Sequence, residues 1–497
     1  MPYAIPRRNV VLGASALGLC SLARSAFGAQ AVPPEAHGRP LAERLAAYTD
    51  ALRYADIDAA TIEAAKSHVI DTIGCAIAAF EEPPIRICRD VALAVGGGTS
   101  TVIGTNRRTT PDLATFANGA AARYLDLNDV YVARQAGHPS DNIMACLAAA
   151  EAERASGTEL VTAIVLAYEI NCRLLDTFDI SGRGWDGVVF SLPAAALAAG
   201  KLMKLSTEQL TQAVNIAVNG HIPMGQTRTQ VLSDWKGIAD AEAGRDAVFA
   251  TLLARGGLTG PAPVFEGRLG FFRLVSGPVE VDVGKFGGRG ISFKVDQCGM
   301  KAYPAQVSTQ TAILAALDVA KEVRQAGDLD GIAAIEVATT RRGYELTGSE
   351  PEKWVPQTRD TADHSMPYIV ARAMFEGEIA NDSYTREKLR DPMILAFMRK
   401  ISVKEDPTFA VQRGNAPPTR ITATMADGRR ITREVDNMPG FPGLPMGRAD
   451  VERKFRSNVR KSWPQDRIDG ILQALWSLER TEDVSALLGK LVVPASL

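Results

Sequence analysis

Transition-metal ligands are scarce in this sequence and poorly spaced. Its 497 residues include five histidines, and no two stand at the short spacing of a zinc site. Six cysteines occupy Cys20, Cys75, Cys88, Cys146, Cys172 and Cys298. None forms a CxxC pair, which removes a zinc ribbon and a dithiol redox motif, and their dispersion removes a cysteine-ligated iron–sulfur cluster. A disulfide framework is equally unsupported, although one isolated bridge stays open. A Walker loop, a Rossmann glycine fingerprint, an HExxH helix and a G-x-S-x-G elbow are all missing. Gly96-Gly97-Gly98 has no lysine after it and reads as a loop, not a phosphate cradle. Charge of one sign is lacking too: 55 basic residues face 57 acidic ones. Neither half carries a strong excess, so nucleic acid is not an expected partner. Past the N-terminal segment no apolar run is long enough to cross a bilayer. The chemistry is expected to fall to side chains alone, with no cofactor and no metal.

The N-terminus reads as an address. Arg7-Arg8 precede an apolar run from Val10 to Leu22, and Ala29-Gln30-Ala31 offers an A-x-A cleavage site. Residues 1–31 are predicted to be a twin-arginine-type signal peptide, which makes the mature protein periplasmic or secreted. A mis-assigned start codon or an uncleaved N-terminal helix would make it cytoplasmic instead. Gly13, Gly18 and Arg24 interrupt the run, so stable membrane insertion is not expected.

From Leu41 to Leu258 apolar residues recur at three- and four-residue spacing, predicting helices over 62–80, 111–125, 142–155, 159–175, 191–203 and 236–254. Ser206-Thr207-Glu208-Gln209 has capping-box form for a helix running to Val218. Near residue 280 the pattern becomes β-branched, predicting strands over 279–283 and 332–339. Residues 419–424 and 430–434 flank Asp427-Gly428, a hairpin signal. Helices over 305–323 and 368–374 fall between these strands. After Pro439, Pro442 and Pro445, helices return at 450–459 and 466–478. The fold class is therefore mainly α. A large all-helical domain takes 40–278 and 440–497, and a smaller α+β lid domain takes 280–436.

Four constellations could carry chemistry. Asp126, Asn128 and Asp129 follow an apolar helix, and Gly137-His138-Pro139-Ser140-Asp141-Asn142 leads into the next one. A carboxylate and an imidazole in one such loop suit proton transfer, while Ser140 or Asp141 also suits a helix cap. Ser233-Asp234-Trp235-Lys236-Gly237 opens another helix, where a lysine opposes the macrodipole unless an anion, or Asp234, compensates. Met300-Lys301-Ala302-Tyr303-Pro304 puts a second lysine before a helix that Pro304 is expected to initiate. Asp363-His364-Ser365-Met366-Pro367-Tyr368 stands at the start of a further helix. Together these suit the binding of a di- or trianion and the movement of a proton beside a carboxylate.

The same segments resemble, in order along the chain, the MmgE/PrpD family of 2-methylcitrate dehydratase-like lyases. The carrying stretches include Asp71-Thr72-Ile73-Gly74-Cys75, Phe116-Ala117-Asn118-Gly119, Asp126-Leu127-Asn128-Asp129, Gly137-His138-Pro139-Ser140-Asp141-Asn142, Trp235-Lys236-Gly237, Lys301-Ala302-Tyr303-Pro304 and Asp363-His364-Ser365. The dehydratase branch resembles this chain more than the aconitate decarboxylase branch does. The resemblance implies a homodimer, an active site between the two domains, and dehydration without an iron–sulfur cluster. It implies catalytic roles for His138, Asp126, Lys236, Lys301 and Tyr368, with Asp129, Ser140, Gln306 and His364 contacting substrate. Departures are Val130 where the family often has threonine, Gly187 where dehydratases commonly carry histidine, and Gln306 where decarboxylases have another.

The expected reaction is β-elimination from a small hydroxy-polycarboxylate, with His138, positioned by Asp126, moving the proton. Decarboxylation or epimerisation of a similar acid starts from the same carbanion-like state. A periplasmic protein that binds a polycarboxylate without converting it is the non-enzymatic alternative.

Overall fold

The computed structural model describes residues 38–411 and 415–494. The predicted signal peptide, residues 1–31, lies outside them. Arg39–Leu497 makes one compact unit, and its architecture is mainly α. Among the described residues no helix is long and apolar enough to cross a membrane.

The larger hydrophobic core is built from helices whose small residues allow close approach. Ile143–Ala152 is buried on every face, and so is most of Ser191–Leu202. Pro111–Arg123 packs on Ala239–Arg255, where a Cβ on Gly119 would sit 3.0 Å from that of Ala241. This contact fixes the C-terminal end of one helix against the N-terminal end of the other. Ser156 and Glu159 cap the helix Gly157–Thr177 reciprocally, and Ser206 and Gln209 do so for Thr207–Gly220, as the sequence predicts. The C-terminal helices Arg448–Val459 and Gln465–Trp476 pack on Ala59–Ala78 and add Phe455, Ile471 and Leu475 to the same core.

A second core covers one face of a four-stranded sheet. Its order is Ile401–Glu405, Ile332–Thr339, Thr419–Met425, Arg430–Val435. The first pair is parallel and the others antiparallel, with the predicted hairpin turning at Asp427-Gly428. Helices Gln310–Ala326 and Met366–Glu376 supply the apolar cover, through Ile313, Val319, Ile369 and Met374.

Two predicted elements differ. Residues 279–283 form no strand: Val281 is buried in the helical core, and its carbonyl accepts from Arg44 Nη1 at 2.7 Å. β-Branched propensity yields there to burial. The helix expected from 305 begins at Gln310, because the Gln310 side chain bonds the backbone of Ala302, Tyr303 and Ala305 and holds that segment as a turn. Pro304 accordingly initiates no helix.

One short ladder matters more than its size suggests. Asp129–Val130 pairs antiparallel with Gly299–Met300, which brings the His138 loop beside Lys301. Gly440 closes over this ladder: its carbonyl accepts from Met300 N at 2.6 Å, its φ is +103°, and a Cβ there would lie 2.1 Å from the Met300 oxygen. No L side chain fits that position.

Candidate active site

Where the two cores meet, Asp126 gathers cations. It follows the Pro111–Arg123 helix in a left-handed conformation, φ +51°, which turns its carboxylate inward. Lys301 Nζ lies 2.7 Å from Asp126 Oδ1 and 3.1 Å from its carbonyl. Lys236 Nζ is 3.5 Å from Oδ2, and Arg123 Nη1 makes a short bond to Oδ1. Burial alone would raise this carboxyl, but Arg123, Lys236 and Lys301 outweigh it and hold Asp126 well below the usual range.

A second carboxylate, Asp363, faces the same lysine. Lys236 Nζ stands 3.4 Å from each of its oxygens, while His364 Nδ1 donates to Oδ1 at 2.5 Å. With Nδ1 protonated toward Asp363, the Nε2 lone pair of neutral His364 has no hydrogen-bond partner among the described residues, and Asp126 Oδ2 lies 4.0 Å away. Burial, then Lys236, pushes His364 down to about 4. Lys301 is pushed down to about 8 by burial, with Arg123 and Lys236 adding and Asp126 opposing. Inside the cluster, Lys236 faces Asp126 and Asp363 at close range, and Lys301 and Arg123 face Asp126, with Asp141 4.0 Å from Arg123 Nε. Asp240, 3.5 Å from Arg123 Nε, is paired with Arg228 at 3.2 Å.

His138 is placed differently from its expected role. Its Nδ1 donates to the Asp129 carbonyl at 2.6 Å, and its Nε2 accepts from Arg123 Nη2 at 2.9 Å. Both ring nitrogens are engaged, and Asp126 does not touch the ring directly. Burial, then Arg123 and Lys301, keep the imidazole well below its ordinary pKa. The carboxylate that orients an imidazole here is Asp363 on His364, not Asp126 on His138.

Other expected residues fall behind the cluster. Asp129 is fully buried, accepting from Ser140 N at 3.1 Å and Tyr168 hydroxyl at 2.8 Å. Ser140 Oγ donates to Asp129 at 2.5 Å and accepts from Asn128 at 2.9 Å. Neither Ser140 nor Asp141 caps the helix Ile143–Ala152. These groups lock the loop that presents His138. Tyr368 lies in the second core, where its hydroxyl donates to the Ser383 carbonyl at 2.6 Å and accepts from Arg372 Nε at 3.1 Å. Gln306 spends its side-chain oxygen capping Ser308, 2.5 Å away, and its backbone N–H holds the Asp363 carbonyl at 2.9 Å. Lys236 lies in the turn Asp234–Gly237 before the helix Ala239–Arg255, and its partners are Asp126 and Asp363, not exposed Asp234.

Arg123 was not singled out from sequence, and Asp363 was named in a motif without being given a role. Arg123 stood three residues before Asp126 within a helix of small residues, a signal that a buried cation was being placed. The altered positions are explained by packing. Val130 fills a small apolar cluster with Met438 and Phe441, and Gln135 occupies the space a side chain at Gly187 would need, its Nε2 2.9 Å from that Cβ position.

Asp126, Asp363 and His364 bring three donor atoms within 4.8 Å of one another, enough to test as a metal site. The donor set does not suit one. Both carboxylates are already held by Lys301, Lys236 and Arg123, and a divalent ion would have to sit against these three cations.

The profile of the MmgE/PrpD N-terminal domain matches residues 43–283, and that of the MmgE/PrpD C-terminal domain matches residues 303–478. Human cis-aconitate decarboxylase is 26% identical over 469 residues, covering 90% of this chain and 94% of that protein. The 2-methylcitrate dehydratase of Escherichia coli K12 is 27% identical over 455 residues, covering 84% and 89%. That of Cupriavidus necator is 28% identical over 455 residues, covering 84% and 90%. With both domain profiles matched in order across the described body, the chain belongs to the MmgE/PrpD family.

Proposed function

We propose that this chain is a lyase acting on a small polycarboxylic acid, without a metal. The observation that carries the reading is the buried meeting of Lys236, Lys301 and Arg123 with an Asp363–His364 pair whose Nε2 is open. Relatives named for 2-methylcitrate dehydration and for cis-aconitate decarboxylation match at 26–28% identity, so identity does not choose between the two.

In the dehydration reading, His364 Nε2 takes the proton from the carbon next to a substrate carboxylate. Asp363 steadies the imidazolium that forms. Negative charge building on that carboxylate faces Lys236 and Lys301, fixed donors in a site screened from water. The C–H electrons become the double bond as the C–O bond breaks, and Lys301 gives its proton to the departing hydroxide, leaving water. Decarboxylation would use the same cations for the carbanion, with a proton returned to carbon. The expected export, supported by Arg7-Arg8 and the run after it, and the expected homodimer complete this reading.

Incubation with citrate, 2-methylcitrate, isocitrate and cis-aconitate, with products followed by proton NMR, tests the activity. Turnover of at least one acid that persists after dialysis against a chelator is expected. Binding without conversion of any would leave a carrier in place of an enzyme.

The shifted groups set the pH profile. His364 must be neutral to accept a proton, so kcat/KM falls as pH drops through about 4. Lys301 must be protonated to donate, so kcat/KM falls as pH rises through about 8. Lys301→Arg, whose guanidinium does not titrate, should lose the alkaline limb along with most turnover. A limb that persists in that variant would remove Lys301 from the donor role.

A further inference from the structure

Beside the charged cluster, polar groups are buried without partners. Arg359 begins the short helix Arg359–Ala362, and its carbonyl accepts from Asp363 N at 2.9 Å, so it stands one turn before the Asp363–His364 pair. Arg359 Nη1 donates to the Asn381 carbonyl at 3.0 Å. Its Nε and Nη2 are buried and have no hydrogen-bond partner among the described residues. The guanidinium carbon is 4.9 Å from the Tyr384 ring centroid and 5.8 Å from that of Tyr124. Tyr384 is 4% exposed, and its hydroxyl also lacks a partner among the described residues.

These groups adjoin the catalytic cluster. Tyr124 is two residues from Asp126, and a Cβ on Gly237, next to Lys236, would lie 3.0 Å from Tyr124 Cα. Burial, then the nearby Asp363 carboxylate, keeps the Tyr384 hydroxyl protonated and so a donor. Burial pushes the neighbouring Asp360 carboxyl up to about 7, with Lys236 opposing, which tempers the charge it shows an incoming anion.

Nε–H and Nη2–H share one edge of a guanidinium, the fork that matches both oxygens of a carboxylate. Native proteins rarely bury such donors unsatisfied, and where they do, a water, an ion or a ligand can complete them. We propose that Arg359 and Tyr384 form a second carboxylate seat, apart from the reacting group, that grips the far carboxylate of the substrate and selects tricarboxylates over dicarboxylates. This rests on the polycarboxylate reading above and adds a specificity role to two residues outside the family motifs quoted from the sequence.

Calorimetric titration with tricarballylate and glutarate tests it without requiring turnover. Arg359→Met should weaken tricarballylate binding by about 10- to 100-fold, the range for a hydrogen-bonded charged pair, and leave glutarate binding within about 2-fold. Tyr384→Phe, the gentler change, should lower tricarballylate affinity several-fold in the same selective manner. Arg359→Lys should recover part of the loss, having charge without the fork. Equal weakening for both acids, or unchanged tricarballylate affinity in the two deletion variants, overturns the seat. A wild type that binds tricarballylate selectively through Arg359 but converts no acid would sink the lyase reading and leave this one standing.

Discussion

His364→Gln is expected to keep the fold and to lower kcat by about 10²- to 10⁴-fold, the usual worth of a positioned general base. Glutamine preserves size and can still bond Asp363, so the change removes the proton acceptor and little else. The geometry behind this is the Asp363 Oδ1 to His364 Nδ1 contact of 2.5 Å, which leaves Nε2 without a hydrogen-bond partner among the described residues. His138→Gln is the paired comparison, because the Nε2 of His138 is already taken by Arg123. Steady-state kinetics on whichever polycarboxylate is converted, with circular dichroism as the folding control, decides between them. Near-normal turnover in His364→Gln with a deep loss in His138→Gln would return the proton to His138.

Arg123→Met carries the largest expected loss of stability, about 3–5 kcal/mol, as when one member of a buried ion network is removed. Arg123 lies against Asp126, Asp240, Asp141 and His138 at once. Asp141 is raised well above the carboxylate range, burial first and Asp240 next, so its environment already strains against charge. Without the guanidinium, Asp126 keeps its lysines but Asp240 keeps only Arg228. Equilibrium urea unfolding measures the change. Arg123→Lys should recover only part of it, since an ammonium reaches fewer partners than a five-donor plane. A variant as stable as wild type would mean that the network contributes specificity and not stability.

Much of the fold was legible because its signals are local. Helical periodicity, the Ser206–Gln209 capping box and the Asp427-Gly428 hairpin each depend on neighbours within a few residues. The strand expected over 279–283 failed because the core that buries Val281 is assembled from distant segments. The onset at Gln310 was hidden for a different reason: a glutamine side chain bonding three backbone groups has no sequence signature. The site was legible as a set of residue types at helix entrances, but not as a geometry. Spacing could not say that Lys236 would reach Asp363 or that Lys301 would reach Asp126. Spacing could not say either that the helix Met366–Glu376 turns the Tyr368 hydroxyl into the second core.

The short ladder between Asp129–Val130 and Gly299–Met300 bears on how the molecule is made. Lys301 meets Asp126 across 175 positions of chain, and Lys236 meets Asp363 across 127. During synthesis the helices around Asp126 emerge long before Lys301 does, and contacts of such separation form late. A nascent chain that stops short of the ladder has Asp126 without Lys301 and Lys236 without Asp363. Asp126 has Arg123 and Lys236 by then, but Lys236 still lacks its second carboxylate, and burying so incomplete a charge network is costly. Charge matching in the cluster thus ties drying of the interior to completion of the chain: the network is whole only once the second core has closed against the first.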